Sequence, residues 1–227
     1  LIDAHENRDV ATADITGAYL HAHMKDFVTM RFTGWAVDLL CEVNPEYKKH
    51  VVFEGKVKVL YVRCNKAIYG CVMSGLLWYE LFSEKRGFVI NPYDFCVANA
   101  LIEGSQCTVG WFVDDTKISH AKAGVVTEII AALESNFGKM TVTRGPRHDF
   151  LGMQIEYHGD GTASIHMPAY IQEAIDESGL QIHTNSPSPC SGTLLKIDPD
   201  SPALGRKRAQ TFHSVVAKLI YVGTRAR

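Results

Sequence analysis

The chain has 227 residues, 46% of them hydrophobic and 21% charged, with a net charge of −2. That is ample for one large globular domain, or a domain with a subdomain, and it excludes a disordered or strongly basic protein. Any surface for a polyanion must therefore be local. The six cysteines (41, 64, 71, 96, 107 and 190) form no C-x-x-C pair, as expected of reduced thiols in an intracellular protein. The start carries no secretory signal, and no apolar run is long enough to span a membrane, so no membrane partner is expected. The chain opens on LIDAHENRD without a Met and stops at GTRAR, as a segment of a longer protein would.

DVATADIT (9–16) predicts a short strand ending near Asp14. Residues 22–56 read as irregular, with Pro45 and Lys48-Lys49-His50 in a surface excursion. KVKVLYVR (56–63) alternates apolar and basic residues, the mark of a half-buried strand. In SGLLWYELFSEKRG (74–87), Leu77 with Leu81 and Trp78 with Phe82 share a helical face, and Gly87 supplies a stop. FCVANALI (95–102) and CTVGWFV (107–113) flank EGSQ, a hairpin signal. TKIS (116–119) predicts the return strand of a second hairpin, with Asp114-Asp115 at its turn.

GVVTEIIAALESNFG (124–138) places Val126, Ile130 and Leu133 at helical spacing and ends on Gly138. FLGMQIEY (150–157) and ASIHM (163–167) pair across GDGT. Pro168 then opens a helix that Gly179 closes. A Ser/Pro-rich linker is expected over 184–206, and a short helix in FHSVVAKLIYVG (212–223). Strand, helix, hairpin, helix, strand is the βαββαβ order of a split-βαβ, ferredoxin-like α+β sheet. In that sheet the first strand lies beside the central hairpin, which brings Asp14 close to Asp114 and Asp115.

Adjacent aspartates are common in turns. Burying a carboxylate, however, costs several kcal/mol unless it is paired or binds a metal. Three carboxylates on neighbouring strands make a hard oxygen cradle suited to Mg²⁺, which takes one or two carboxylates plus substrate phosphates. Two such ions can serve phosphoryl transfer. His21 and His23 have the i, i+2 spacing of a zinc pair on a strand, but no second ligand pair stands nearby. His120 is expected in a loop near the aspartates. Lys66 and Lys117 are candidates for phosphate contacts.

DITGAYL (14–20), NKAIYGC with LLWYELF (65–82), WFVDD (111–115) and FLGMQI (150–155) resemble, in order, the polymerase motifs of copia-type retrotransposon reverse transcriptases. The resemblance implies a polymerase palm with partial fingers and thumb elements over 1–183. The 184–206 linker would follow, and 207–227 would begin a connection toward a ribonuclease H domain. It implies RNA-directed DNA polymerase activity with two Mg²⁺ ions, for which Mn²⁺ could substitute. Asp14, Asp114 and Asp115 would be the catalytic carboxylates, and the Ile15 carbonyl would complete one coordination sphere. Tyr19, with Ala18, would sit beneath the incoming sugar and reject a 2′-hydroxyl. Tyr69 and Gly70 would support the base. Phe112 and Val113 would lie near the primer end, and Phe150, Leu151 and Gly152 would grip the primer. Lys139 would act as general acid toward pyrophosphate.

The implied partners are an RNA or DNA template with its primer, deoxynucleoside triphosphates, and the ribonuclease H and integrase parts of a Pol polyprotein. The implied location is a cytoplasmic virus-like particle and the nucleus of the host cell. Two departures stand out. The family has Lys, Gln, a small residue and Pro where this chain has Val72, Met73, Ser74 and Gly75. Only about a dozen residues precede Asp14, so basic finger strands ahead of it are expected to be absent and synthesis by this segment alone to be poor. Three rivals remain: a degenerate copy that binds nucleic acid without catalysis, a nucleotide cyclase on a similar sheet, and a structural domain whose aspartates are only turn residues.

Overall fold

A computed structural model describes residues 1–83, 87–181, 196 and 199–225. The chain falls into two units, Glu6–Gly145 and Leu1–His5 with Pro146–Arg227. The short helix α1 (Ile2–His5) opens the chain and belongs to the second unit.

The first unit is built on β1 (Asp9–Asp14), α2 (Ala18–His21), β2 (Thr29–Thr33), α3 (Trp35–Val43), a 3₁₀ helix (Pro45–His50), β3 (Val52–Glu54) and β4 (Val57–Arg63). It continues with α4 (Ser74–Ser83), β5 (Val89–Ile90), β6 (Val97–Ile102), β7 (Ser105–Phe112), β8 (Asp115–His120), α5 (Ala123–Phe137) and β9 (Thr141–Arg144). Its main sheet has the order β5-β6-β7-β8-β1-β9, antiparallel throughout. β1 is made of small residues, Val10, Ala11, Thr12 and Ala13, and all four are buried. β7 buries every second residue, Cys107, Val109 and Trp111, as period-2 patterning requires.

These residues meet Ile118 of β8, Trp78 and Phe82 of α4, and Val126, Ile130 and Leu133 of α5 in one core. The two helices thus share the face of the sheet that carries Ala11, Ala13, Val109, Trp111 and Ile118. The predicted hairpin over 95–113 forms with a tighter loop than EGSQ. Ser105 and Gln106 join β7, and only Glu103-Gly104 remain as a turn, both at positive φ.

The stretch read as irregular contains real elements. β2 pairs with β4 from Thr29↔Arg63 to Thr33↔Val59, and β3 pairs on the other side of β4. β2 has an exposed, polar-rich pattern and gains its order from a partner about thirty residues away. α3 buries only Val37 and Cys41, which pack with Leu60 of β4 in a small separate core. Two anchors in nine residues are too few to announce a helix by periodicity.

The second unit holds β10 (Arg147–Phe150), β11 (Met153–Tyr157) and β12 (Ala163–His166) in one antiparallel sheet, with α6 (Pro168–Ser178) and α7 (Arg206–Arg225). The predicted pairing across GDGT is present, from Gln154↔His166 to Tyr157↔Ala163. α6 starts on Pro168 and ends on Gly179 in the left-handed region. α7 is longer than its apolar stretch predicted and packs on α6, with Lys218 between Glu173 and Glu177. Most of the 184–206 linker lies outside the described residues.

Two outcomes follow from the core of the first unit. Leu133→Ala is expected to lower unfolding free energy by about 2–5 kcal/mol in urea titrations, because a buried side chain leaves a cavity. Burial pushes the Cys107 thiol up from 9.0 to about 11, with Arg8 pulling weakly the other way. The neutral thiol therefore stabilises the fold fully below the unfolded thiol's pKa, and that contribution is lost as pH rises toward about 11. Part of the alkaline fall in the urea midpoint should vanish in Cys107→Ala.

Candidate active site

Antiparallel pairing puts Asp14, the last residue of β1, directly opposite Asp115, the first residue of β8. Asp115 in turn faces Phe112 of β7, and Asp14 faces Thr141 of β9. Phe112, Asp115, Asp14 and Thr141 thus form one row across four strands at one end of the sheet. Side-chain alternation sets this row on the face opposite α4 and α5. Directly opposed residues have Cβ atoms about 4.5–5.5 Å apart, so two like charges here are held together at a cost.

Asp114 lies in the two-residue turn between β7 and β8. Its carbonyl accepts the Ile15 N–H at 3.0 Å, which ties the turn to the residue after Asp14. The turn is strained. Val113 has φ 57, while Asp114 stays outside the positive region. That combination marks a type II′ turn, whose first central position normally calls for Gly. A left-handed backbone costs an ordinary residue ~1–2 kcal/mol, and a β-branched side chain is a true outlier there. The Trp78 indole Nε1–H donates to the Val113 carbonyl at 2.7 Å.

After Asp14 the chain turns through Gly17 at φ 66 into α2. Tyr19 is thereby laid against Tyr69, ring centroids 4.5 Å apart. The Tyr19 hydroxyl reaches the start of α4, 3.8 Å from where a Cβ on Gly75 would stand. Tyr69 is 55% exposed. Its phenol is held above the usual range first by burial, then by Asp114, Tyr19 and Asp14.

The loop carrying Tyr69 is fixed by buried Ser74, which accepts the Ile68 N–H at 3.1 Å and donates to the Ile68 carbonyl at 2.7 Å. Gly70 has φ 92 and open space where a Cβ would lie, so its need is conformational, and no protein backbone crowds it. Phe112 is 58% exposed beside the aspartates. Ala18 and Ile15 are fully buried beneath them. Lys139 is exposed two residues before Thr141, the partner of Asp14, so it enters at the same end of the sheet.

Phe150, Leu151 and Gly152 form a tight turn in the second unit. Phe150 pairs with Met153, and Leu151 and Gly152 have φ 53 and 73, the pattern of a type I′ turn. The Tyr221 hydroxyl donates to the Leu151 carbonyl at 3.2 Å.

One sequence expectation needs revision. His120 is fully buried in β8 at the end remote from Asp115. Its Nδ1 accepts the Lys122 N–H at 3.0 Å and its Nε2 stands 3.1 Å from the Ile102 carbonyl, so both ring nitrogens have backbone partners. Lys66 is already engaged, donating to the His21 carbonyl at 3.2 Å and to His23 Nε2 at 3.0 Å. The His21 ring turns elsewhere, to the Thr16 carbonyl at 3.3 Å. Trp78 and Ser74 were legible only as a core residue and a helix start. The Trp78 bond reaches backbone 35 residues on and the Ser74 bonds reach back six residues, and neither has a sequence signal.

Among the described residues no group of three or more His, Cys, Asp or Glu is placed to hold a metal ion. The chemistry of Asp14, Asp114 and Asp115, short hard-oxygen donors, is of the kind Mg²⁺ takes, an ion bound through one or two carboxylates with water and substrate oxygens completing its shell.

No protein-family model matches the chain, and no solved structure matches it significantly. The chain is similar to the transposon Ty1-NL2 Gag-Pol polyprotein of Saccharomyces cerevisiae, 24% identical over 187 residues. It is also similar to the transposon Ty1-BR Gag-Pol polyprotein of the same yeast, 23% identical over 184 residues. Each match covers 79% of this chain and 9% of the relative. The chain thus spans under a tenth of the length of these relatives. The likeness supports an origin in a copia-like retrotransposon polyprotein. Among the described residues no helix is long and apolar enough to cross a membrane.

Because Asp14 and Asp115 repel, Asp14→Asn is expected to stabilise the protein by about 0.2–1 kcal/mol at neutral pH. Thermal unfolding at rising NaCl checks this, since screening should shrink the gain.

Proposed function

We propose that this chain is the RNA-directed DNA polymerase palm, with partial fingers and thumb elements, of a copia-type retroelement. The observation that carries the reading is the register that faces Asp14 with Asp115 while Asp114 occupies the adjoining turn. The strand order β9-β1-β8-β7, crossed on one face by α4 and α5, supports a split-βαβ, ferredoxin-like palm. The likeness to transposon Gag-Pol polyproteins supports the retroelement origin.

In this reading a primer 3′-hydroxyl attacks the α-phosphorus of a deoxynucleoside triphosphate and pyrophosphate leaves. Asp14, Asp114 and the Ile15 carbonyl would hold two Mg²⁺ ions, or Mn²⁺ in their place, with Asp115 as the third carboxylate. Bound there, such ions supply charge neutralisation and activation of the hydroxyl. Tyr19, braced by Tyr69, closes the floor under the sugar and excludes a 2′-hydroxyl. Ala18 and Gly70 leave room for the nucleotide. Phe112 and Val113 lie where the primer end would rest, and Phe150, Leu151 and Gly152 form the gripping turn. Lys139 delivers a proton to pyrophosphate. Template and primer would be held through shape and backbone charge. The ribonuclease H and integrase parts of the polyprotein would be its neighbours, in a virus-like particle.

A second reading, a relic that binds nucleic acid without catalysis, is favoured by one observation. Val72 is 97% exposed and Met73 40% exposed ahead of α4, where the family carries polar side chains.

Primer extension on an RNA template with Mg²⁺ separates the two. Slow but template-directed incorporation is expected of this segment, with Asp14→Asn and Asp114→Asn each losing roughly 100-fold or more while still binding primer–template. Tyr19→Ala should raise ribonucleotide use relative to deoxyribonucleotide use. Equal rates in wild type and both Asp variants would sink the polymerase reading. Binding without incorporation by the wild type would select the relic.

A further inference from the structure

The turn that carries Asp114 has two forms available to it. In a two-residue hairpin, types II′ and I′ share a positive φ at the first central residue. They differ by a flip of the central peptide, which reverses its carbonyl and changes the sign of φ at the second residue. Here the central peptide joins Val113 to Asp114. Asp tolerates the left-handed region well, so nothing in Asp114 itself forbids the I′ form. The residue therefore needs an external reason to stay where the structure has it.

That reason is the indole of Trp78. Its Nε1–H donates to the Val113 carbonyl, the oxygen that the flip would swing away, at 2.7 Å. The donor cannot readily follow. Trp78 is 2% exposed, and its ring stands 5.1 Å from Phe137 edge-on and 5.4 Å from Phe82. The side chain springs from α4, so the bond ties the helix core to the turn 35 residues on. A flip would leave a buried indole N–H unsatisfied, the costlier half of a broken hydrogen bond. The peptide group is planar, so fixing the carbonyl of Val113 also fixes the amide of Asp114 and the exit direction of its side chain.

We propose that Trp78 is a positioning residue that selects the II′ form of the Val113–Asp114 turn and thereby aims the Asp114 carboxylate. The turn selection stands on geometry alone; its consequence for catalysis rests on the polymerase reading.

Trp78→Phe in the 227-residue chain removes the donor and keeps an aromatic ring. NMR then reads the turn directly, since a strong intraresidue amide–Hα NOE at Asp114 marks positive φ there. Trp78→Phe is expected to gain that signal and to lose exchange protection at the Ile15 amide, which depends on the Asp114 carbonyl. Phe82→Leu disturbs the same aromatic cluster, keeps the indole donor, and should leave both signals as in wild type. In primer extension, Trp78→Phe should lower kcat about tenfold or more with KM for nucleotide little changed, the mark of a misaimed group. Wild-type NOE and protection in Trp78→Phe would overturn the proposal. If wild type extends no primer, the polymerase reading fails while the NMR signals still decide the role of Trp78. Should Trp78→Phe not fold, benzothienylalanine at position 78 keeps the indole shape without its N–H, and the same two signals decide.

Discussion

The pairing of β1 with β8 is the constraint on which the rest of the first unit depends. It runs from Asp9↔His120 to Asp14↔Asp115 without a bulge. A slip of one residue would carry every side chain of β1 to the opposite face. Ala11 and Ala13 would leave the helix-covered core, and Asp14 would enter it in the place of Ala13, opposite buried Thr116 rather than Asp115. Register is therefore enforced by burial, and the facing carboxylates are a consequence of that enforcement. They are a locally unfavourable arrangement that the core maintains, the usual sign that a site has a purpose other than stability.

Strain is handled by one device in each unit. Val113 and Leu151, both aliphatic, sit at positive φ in two-residue turns. In each case an aromatic donor from a helix, Trp78 or Tyr221, binds the carbonyl of the strained residue. A hydrogen bond of net worth about 1 kcal/mol is comparable to the left-handed penalty it offsets. Both turns were singled out by sequence as functional elements, yet neither pin was visible there. The aromatic neighbours of Trp78, namely Phe82 and Phe137, keep its donor from wandering.

The site is also shaped by how it leaves groups accessible. Tyr69 and Phe112 flank the aspartates with exposed rings, while Ile15 and Ala18 beneath are buried. Short carboxylates thus stand between exposed aromatic rings, with the buried Ile15 and Ala18 below. The similarity to Ty1 Gag-Pol polyproteins is distant and covers a small part of those chains, so the side-chain arrangement carries most of the functional argument.

Much of the first unit was legible in sequence because its signals are local. The period-2 pattern of Cys107, Val109 and Trp111, the helical spacing of Val126, Ile130 and Leu133, and the stop at Gly138 each act within one element. The adjacency of Asp114 and Asp115, and the likelihood of a turn there, are likewise written in the chain. Sequence alone did not fix β2 and α3, whose few buried residues are ordered by β4, or the burial of His120, whose two partners come from other segments. Nor could it decide which peptide of the turn is flipped, or that an indole 35 residues away holds it. Those are long-range contacts, formed only when the helices close on the sheet, and a pattern read along the chain has no term for them.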